Sequence, residues 1–532
     1  MRTIRPLFLI FLSFLASAGL CQNHQLRFDQ IDIQHYKFEL ELSDESNLIE
    51  GTASIDVHFK QEIEQFTLDL IRKVETYGMS VSSVSSKGQT LGFVHLDNQL
   101  NIKLDKPAKA GKSEIFEIKY AGIPEDGLII SENMFGNRTF FADNWPDRAQ
   151  HWLPVVDHPS DKATVEFIIT APLKYEVVAS GDLIDQSGNA ASRSHHFRSQ
   201  QPMATKVIVL GAADLAIDSV GFVNDIPVTS WAYPQNQKEA FYDLEISQPI
   251  LEYFINLIGP YPYSKLASVQ ATTIYGGMEN AGNIFYKETA ITGKRENKYT
   301  VAHEIAHQWF GNSASEANWH HVWLSEGFAT YMTNVHAQAV YGEEVRREKM
   351  VEQRTKVIEF SKEKLVPIVD TSVTDYSEDL LNANCYQKAS WVLHMLRQKV
   401  GDEVFLRGIR NYYDRFKHSN ALTDDFSLVM EETSGLRLQK FFEQWIYRSG
   451  HPILSVTNAN VGDQLKIEII QVQKNQIFEF PLEIKIVCEN RPAIYKTVSI
   501  TEKQSAFTFD LEEPVQNIEL DPNVNLLFEL IQ

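Results

Sequence analysis

Residues 301–312 read V-A-H-E-I-A-H-Q-W-F-G-N, and no other stretch constrains the chain as tightly. At helical pitch His303 and His307 lie one turn apart, so both imidazoles project from one face toward a common point. Glu304 is turned by about 100° from His303 and reaches past that point rather than into it. Ala302, Ile305, Ala306, Trp309 and Phe310 form the other side, an apolar stripe that needs a core to sit in. Gly311-Asn312 then stops the helix. Such a segment specifies half of a zinc site, with a carboxylate placed as a base toward water. A solvated helix face that happens to carry two histidines is the reading this segment alone leaves open.

Glu326 changes that balance. It follows His307 after eighteen intervening residues, inside W-L-S-E-G-F-A-T-Y (323–331). Leu324, Phe328, Tyr331 and Val335 mark this stretch as a second amphipathic helix. Two neutral imidazoles and one carboxylate, with a fourth position left to water, make the ligand set of a hydrolytic zinc ion. A structural zinc is closed by four protein ligands, usually thiolates among them, and no cysteine lies near this stretch of sequence. The longer H-E-x-x-H-x-x-G-x-x-H arrangement is excluded, because Phe310 and Ser313 stand where its glycine and third histidine belong.

With these residues the chain resembles the aminopeptidase N family of zinc exopeptidases, whose relatives include the leukotriene-hydrolysing enzymes. The likeness runs from the expected mature N-terminus to about residue 451, through G-G-M-E-N (276–280), H-E-x-x-H with Glu326, W-L-x-E-G-F-A, and Y-Q-K-A (386–389). It implies one zinc per chain held by His303, His307 and Glu326, Glu304 as general base, and Tyr386 as donor to the oxyanion. It implies further that Gly276, Gly277, Met278, Glu279 and Asn280 bind substrate, Glu279 taking the free α-amine while the glycine backbone pairs with the peptide. A terminal amine is mostly protonated at neutral pH, so a facing carboxylate gains a charge-assisted bond. A substrate lacking the amine would leave Glu279 buried and unpaired.

The chain departs from the family pattern at two places. Ala389 stands where relatives usually carry glycine. Trp145 stands where many carry a Glu or Gln that helps hold the amine; Asp143 and Asn144 are candidate substitutes, and Trp145 itself reads as core or pocket wall.

The expected fold is multidomain α+β. Residues 22–215 alternate with period two at 35–42, 53–59 and 116–120, which reads as half-buried sheet; the resemblance makes it a β-saddle domain. Residues 216–451 open on short strands and turn helical, a thermolysin-like catalytic domain by resemblance, with helical patterns at 342–365, 386–400, 402–417 and 423–435. Residues 452–532 alternate again, at 465–472, 478–487, 494–500 and 505–511, in the manner of a small Ig-like β-sandwich.

Arg2 and Arg5 precede an apolar run of about fourteen residues within 1–21, the shape of a secretory signal and too short to span a bilayer comfortably. Export to a periplasmic or extracellular space is therefore expected, with no later run long enough for a membrane span. A formal charge of −21 disfavours nucleic acid as a partner. Three cysteines, at 21, 385 and 488, make no disulfide framework, and Cys385 reads as a buried small residue rather than a nucleophile. The expected activity is release of N-terminal residues from peptides with a free amine. Three alternatives stay open: a zinc endopeptidase, an epoxide-hydrolase-like bifunctional relative, and an inactive peptide-binding homologue.

Overall fold

The structure is a computed structural model that describes residues 25–376, 379–474, 476–511 and 513–531; the expected export signal, 1–21, lies outside them. Packing divides the chain into two compact units. One comprises the residues up to Glu252 with Tyr261–Gln308 and His418–Asn420, and the other comprises Tyr253–Pro260, Trp309–Lys417 and the residues from Ala421 onward.

In the first unit, the alternating segments become a nine-stranded sheet whose centre is Ile31–Glu41. That strand pairs in parallel with Lys162–Pro172 and antiparallel with Ile49–Phe59. Tyr36, Phe38 and Leu40 fall on one face and are buried, as alternation demands. Phe38 lies opposite Phe167 in register, with ring centres 5.5 Å apart. A smaller sheet carries Arg138–Ala142 between Leu128–Glu132 and Leu210–Ala213. A five-stranded mixed sheet follows, ordered Ala216–Val223, Ile226–Ala232, Leu266–Ala271, Asn283–Lys287 and, at its edge, Gly277–Met278. This edge strand is the G-G-M-E-N stretch, paired antiparallel so that Gly277 faces Tyr286 and Met278 faces Phe285. The helix Lys298–His307 packs against it.

In the second unit, Trp323–Tyr341 is the central helix, and every residue from Trp323 to Ala337 is buried. A helix covered on all sides needs partners all round; here Glu343–Glu363 and Ala389–Val400 pack against it. Gly327 is what lets the last of these approach: a Cβ there would stand 2.5 Å from the Ala389 methyl. The departure at 389 is thus accommodated by the bare Cα across from it. Gly327→Ala is expected to lower stability by about 1–3 kcal/mol through overpacking. The shift in denaturant midpoint reads this directly, and adding Ala389→Gly should recover much of it, because the two sites touch and are not independent.

Beyond the helices, a four-stranded sheet (Gln504–Asp510, Gln464–Gln471, Ile453–Val461, Glu529–Ile531) and a three-stranded sheet (Ile494–Ile500, Phe480–Cys488, Val515–Leu520) form the expected β-rich end. Both belong to the same compact unit as the helices. Arg354 ties them together, donating to Asp521 at 2.6 Å and to the Leu526 carbonyl at 2.7 Å between the rings of Trp391 and Phe528. No helix among the described residues is long and apolar enough to cross a membrane.

Candidate active site

The helix Lys298–His307 carries both histidines as the spacing predicts, with Val301, Ala302, Ile305 and Ala306 buried, but it ends at His307 rather than at the expected Gly311-Asn312 stop, and Trp309 and Phe310 lie beyond it. His303 and His307 bring their Nε2 atoms to 3.0 Å, with ring centres 4.6 Å apart and the planes at 86°. An oxygen of Glu304 joins them, one ligand atom from each of the three residues lying within 4.8 Å of the others. Two nitrogens held by one tetrahedral zinc at 2.0–2.1 Å would stand about 3.3 Å apart, so the pair at 3.0 Å comes within a few tenths of an ångström of that separation. Glu304 and His307 are buried and His303 is partly exposed. The two imidazoles are donors that fit zinc, with the Glu304 carboxylate beside them.

The edge strand supplies the other half of this unit's chemistry. Glu279 is buried just beyond the strand's end, and one of its carboxylate oxygens comes within 4.8 Å of a His307 ring nitrogen. Gly276 has open space where a Cβ would be, whereas a Cβ on Gly277 would stand 2.3 Å from Glu304 Oε1. The two glycines thus do different things: Gly276 leaves room on the open side, and Gly277 leaves space for the Glu304 carboxylate. Gly277→Ala is expected to displace the Glu304 carboxylate and cut kcat/KM roughly a hundredfold, the usual consequence of an ångström-scale misplacement. Steady-state rates beside a zinc assay would show that loss with the metal still bound. Met278 is buried, and Asn280 is fully buried at the turn where its carbonyl accepts from the Asn283 N–H at 3.1 Å. Tyr286, opposite Gly277, has its phenol held well above its ordinary pKa by burial and then by the Glu304 charge, so it stays neutral.

One residue escaped the sequence reading. Gln308, directly after the second histidine, is fully buried. Its Nε2 donates to the Glu279 carbonyl at 2.8 Å, and its Oε1 accepts from the Gly282 N–H at 2.9 Å. It locks the end of the histidine-bearing helix to the turn after Glu279. Its signal was a polar side chain set between His307 and Trp309, where the apolar stripe should continue.

The candidate substitutes near Trp145 are otherwise occupied. Asn144 donates to the carbonyls of Thr205 and Ile208 and accepts from Trp152. Asp143 accepts from Arg148 at 2.5 Å, the Thr273 hydroxyl at 2.8 Å and the Ile274 N–H at 2.9 Å. Every oxygen of the two side chains already accepts at least one hydrogen bond from within the protein. Trp145 is buried, its ring edge-on to Tyr275 at 5.9 Å, which makes it wall rather than anchor.

In the second unit, Glu326 is buried in the first turn of Trp323–Tyr341, where the helix dipole favours its negative charge. Tyr386 is half-buried. It does not lie on a regular helix running from 386, as the pattern predicts, but in a π-helical turn, Asn384–Lys388, that precedes Ala389–Val400. The widened turn is closed by the Lys388 N–H reaching the Ala383 carbonyl at 2.9 Å, and by Asn384 Nδ2 bonding the Val366 carbonyl at 2.8 Å. Such turns offset the following side chains from helical register and recur at functional positions. Burial, with the Glu326 charge adding to it, pushes the Cys385 thiol far above its ordinary pKa, which keeps it an inert core residue. Burial also brings the Lys388 ammonium down to about 7, with Nζ donating to the Arg448 carbonyl at 3.3 Å.

A histidine pair one turn apart, with the Glu304 carboxylate beside it and the Glu279 carboxylate within reach of His307, is a cluster of groups that can hold a metal ion. Residues 33–228 match the peptidase M1 N-terminal domain and residues 242–445 the peptidase family M1 domain. The chain belongs to peptidase family M1, the aminopeptidase N family. Among curated relatives, "Probable aminopeptidase 2" of Sulfurisphaera tokodaii is 25% identical over 437 residues, covering 78% of this chain and 54% of the relative. "Leucyl aminopeptidase" of Saccharolobus solfataricus is 23% identical over 476 residues, covering 86% of this chain and 59% of that protein. The chain thus spans somewhat over half the length of these relatives. The crystal structure of an M1 zinc metallopeptidase from Deinococcus radiodurans shares the fold, with a TM-score of 0.67 at 23% identity over 80% of this chain and 95% of that one.

Proposed function

We propose that this protein is a zinc aminopeptidase that releases N-terminal residues from peptides with a free α-amine. The observation that carries this is the facing Nε2 pair of His303 and His307 at 3.0 Å, with Glu304 beside it and Glu279 within reach of the same histidine. We assign His303, His307 and Glu326 as the zinc ligands. When bound, the zinc ion acidifies water and polarises the scissile carbonyl.

The protein's own groups do the rest. Glu304 takes the proton from the attacking water and returns it to the departing amine, so one carboxylate serves as base and then acid. Tyr386 donates its phenolic hydrogen bond to the carbonyl oxygen as charge builds there. Glu279 holds the α-ammonium, which sets the register at one residue per turnover. The backbone of Gly276 and Gly277 lies along the substrate, with Met278 and Asn280 completing the stretch.

The working protein is read as β-saddle (22–215), catalytic domain (216–451) and β-sandwich (452–532), delivered outside the cytoplasm by cleavage of the 1–21 signal. Intact mass of the secreted or periplasmic protein tests that last point: retention of the first residues would end it. The function is tested by metal analysis together with aminoacyl chromogenic substrates, each offered with its amine free and acetylated. One zinc per chain and cleavage of free-amine substrates only are expected. Equal cleavage of both sets would make the protein an endopeptidase.

A further inference from the structure

Asp143 and Arg148 form an ion pair that the chemistry above does not use. Asp143 is fully buried and Arg148 nearly so, with Nη2 to Oδ1 at 2.5 Å. A buried ion pair is a poor device for stability alone, since well-packed apolar residues often do as well. What this one reaches is more telling. The second oxygen of Asp143 holds the Thr273 hydroxyl and the Ile274 N–H, immediately ahead of G-G-M-E-N. The same short stretch is held from its other side, where Lys287 donates its Nζ to the Ile274 carbonyl and its backbone N–H to the Gly276 carbonyl, both at 3.1 Å.

Arg148 completes the frame. Its Nε donates to the Trp145 carbonyl at 2.7 Å, its Nη1 to Asp126 at 3.1 Å, and its guanidinium lies 5.8 Å from the centre of the Tyr275 ring. Trp145 meets that ring edge-on. Burial raises the Tyr275 phenol above its ordinary pKa, Arg148 opposing and the charges of Asp143 and Glu279 adding, so the ring sits in the field of both carboxylates. With Trp145 in place of a second amine anchor, alignment of the substrate's end falls to Glu279.

We infer that Asp143 and Arg148 are positioning residues for amine recognition: their buried pair fixes residues 273–276 and thereby the Glu279 carboxylate that receives the substrate's α-ammonium. The inference rests on the aminopeptidase reading and deepens it.

The test compares two inhibitors that differ only in the amine, leucine hydroxamate and 4-methylpentanohydroxamate, on the full chain with zinc content measured. In Asp143→Asn, the inhibition constant of the amine-bearing compound is expected to rise about tenfold, the worth of a misaligned charge-assisted bond, while that of the amine-less compound stays within about twofold. Thr273→Val, which removes one bond from Asp143 and leaves the ion pair intact, should move the same constant in the same direction, and it carries the decision if Asp143→Asn does not fold. Equal losses for both inhibitors, or no loss for either, overturn the inference. A wild-type protein that binds the two equally well instead refutes the aminopeptidase reading beneath it.

Discussion

Glu304→Gln is expected to keep about one zinc per chain and to lose on the order of a thousandfold or more in kcat, the upper range for removing a general acid–base. The amide is nearly the same size as the carboxylate, so it fits the space that Gly277 leaves open, where a Cβ would come within 2.3 Å of Oε1. The histidine pair is untouched, and the helix keeps its buried apolar face. Only the capacity to accept and return a proton is removed. Metal analysis by mass spectrometry and turnover of a free-amine substrate would be measured on the same preparation. Turnover near that of the wild type, with zinc present, would falsify the base assignment.

The second large effect is expected at Tyr386. Tyr386→Phe should reduce kcat about a hundred- to a thousandfold, as losing one oxyanion donor typically does, with KM changed little and zinc retained. The ring stays, so the π-helical turn of Asn384–Lys388 keeps its packing; what goes is one hydroxyl. That split between kcat and KM separates a donor used in the transition state from one that merely binds substrate. Equal loss in KM at constant kcat would make Tyr386 a binding residue instead.

These two predictions rest on side chains that differ in how plainly they could be read. Glu304 follows from spacing inside one helix, which formed over both histidines but ended at His307, short of the Gly311-Asn312 stop that the pattern predicts. The strands around His35–Leu42 likewise fell into the alternation predicted for them, with Tyr36, Phe38 and Leu40 inward. Tyr386 came from resemblance to a motif, and its local structure was misjudged. A regular helical period cannot announce a widened turn, because the extra residue is tolerated only when partners such as the Val366 carbonyl satisfy the turn from outside. Gln308 was passed over for a similar reason. Its two partners, the Glu279 carbonyl and the Gly282 N–H, lie 29 and 26 residues away in sequence.

By itself, the sequence determined which side chains share a face of an element: the two imidazoles on one turn, the Glu304 carboxylate beside them, and the apolar stripes that bury each element. Periodicity encodes facing, since it depends only on pitch within a single element. The tertiary structure alone decided how near those faces come to anything else. It set Gly277 against Glu304, the bare Cα of Gly327 against Ala389, and Asp143 on the stretch leading into G-G-M-E-N. Such separations come from packing elements remote along the chain, where a fraction of an ångström separates contact from clash.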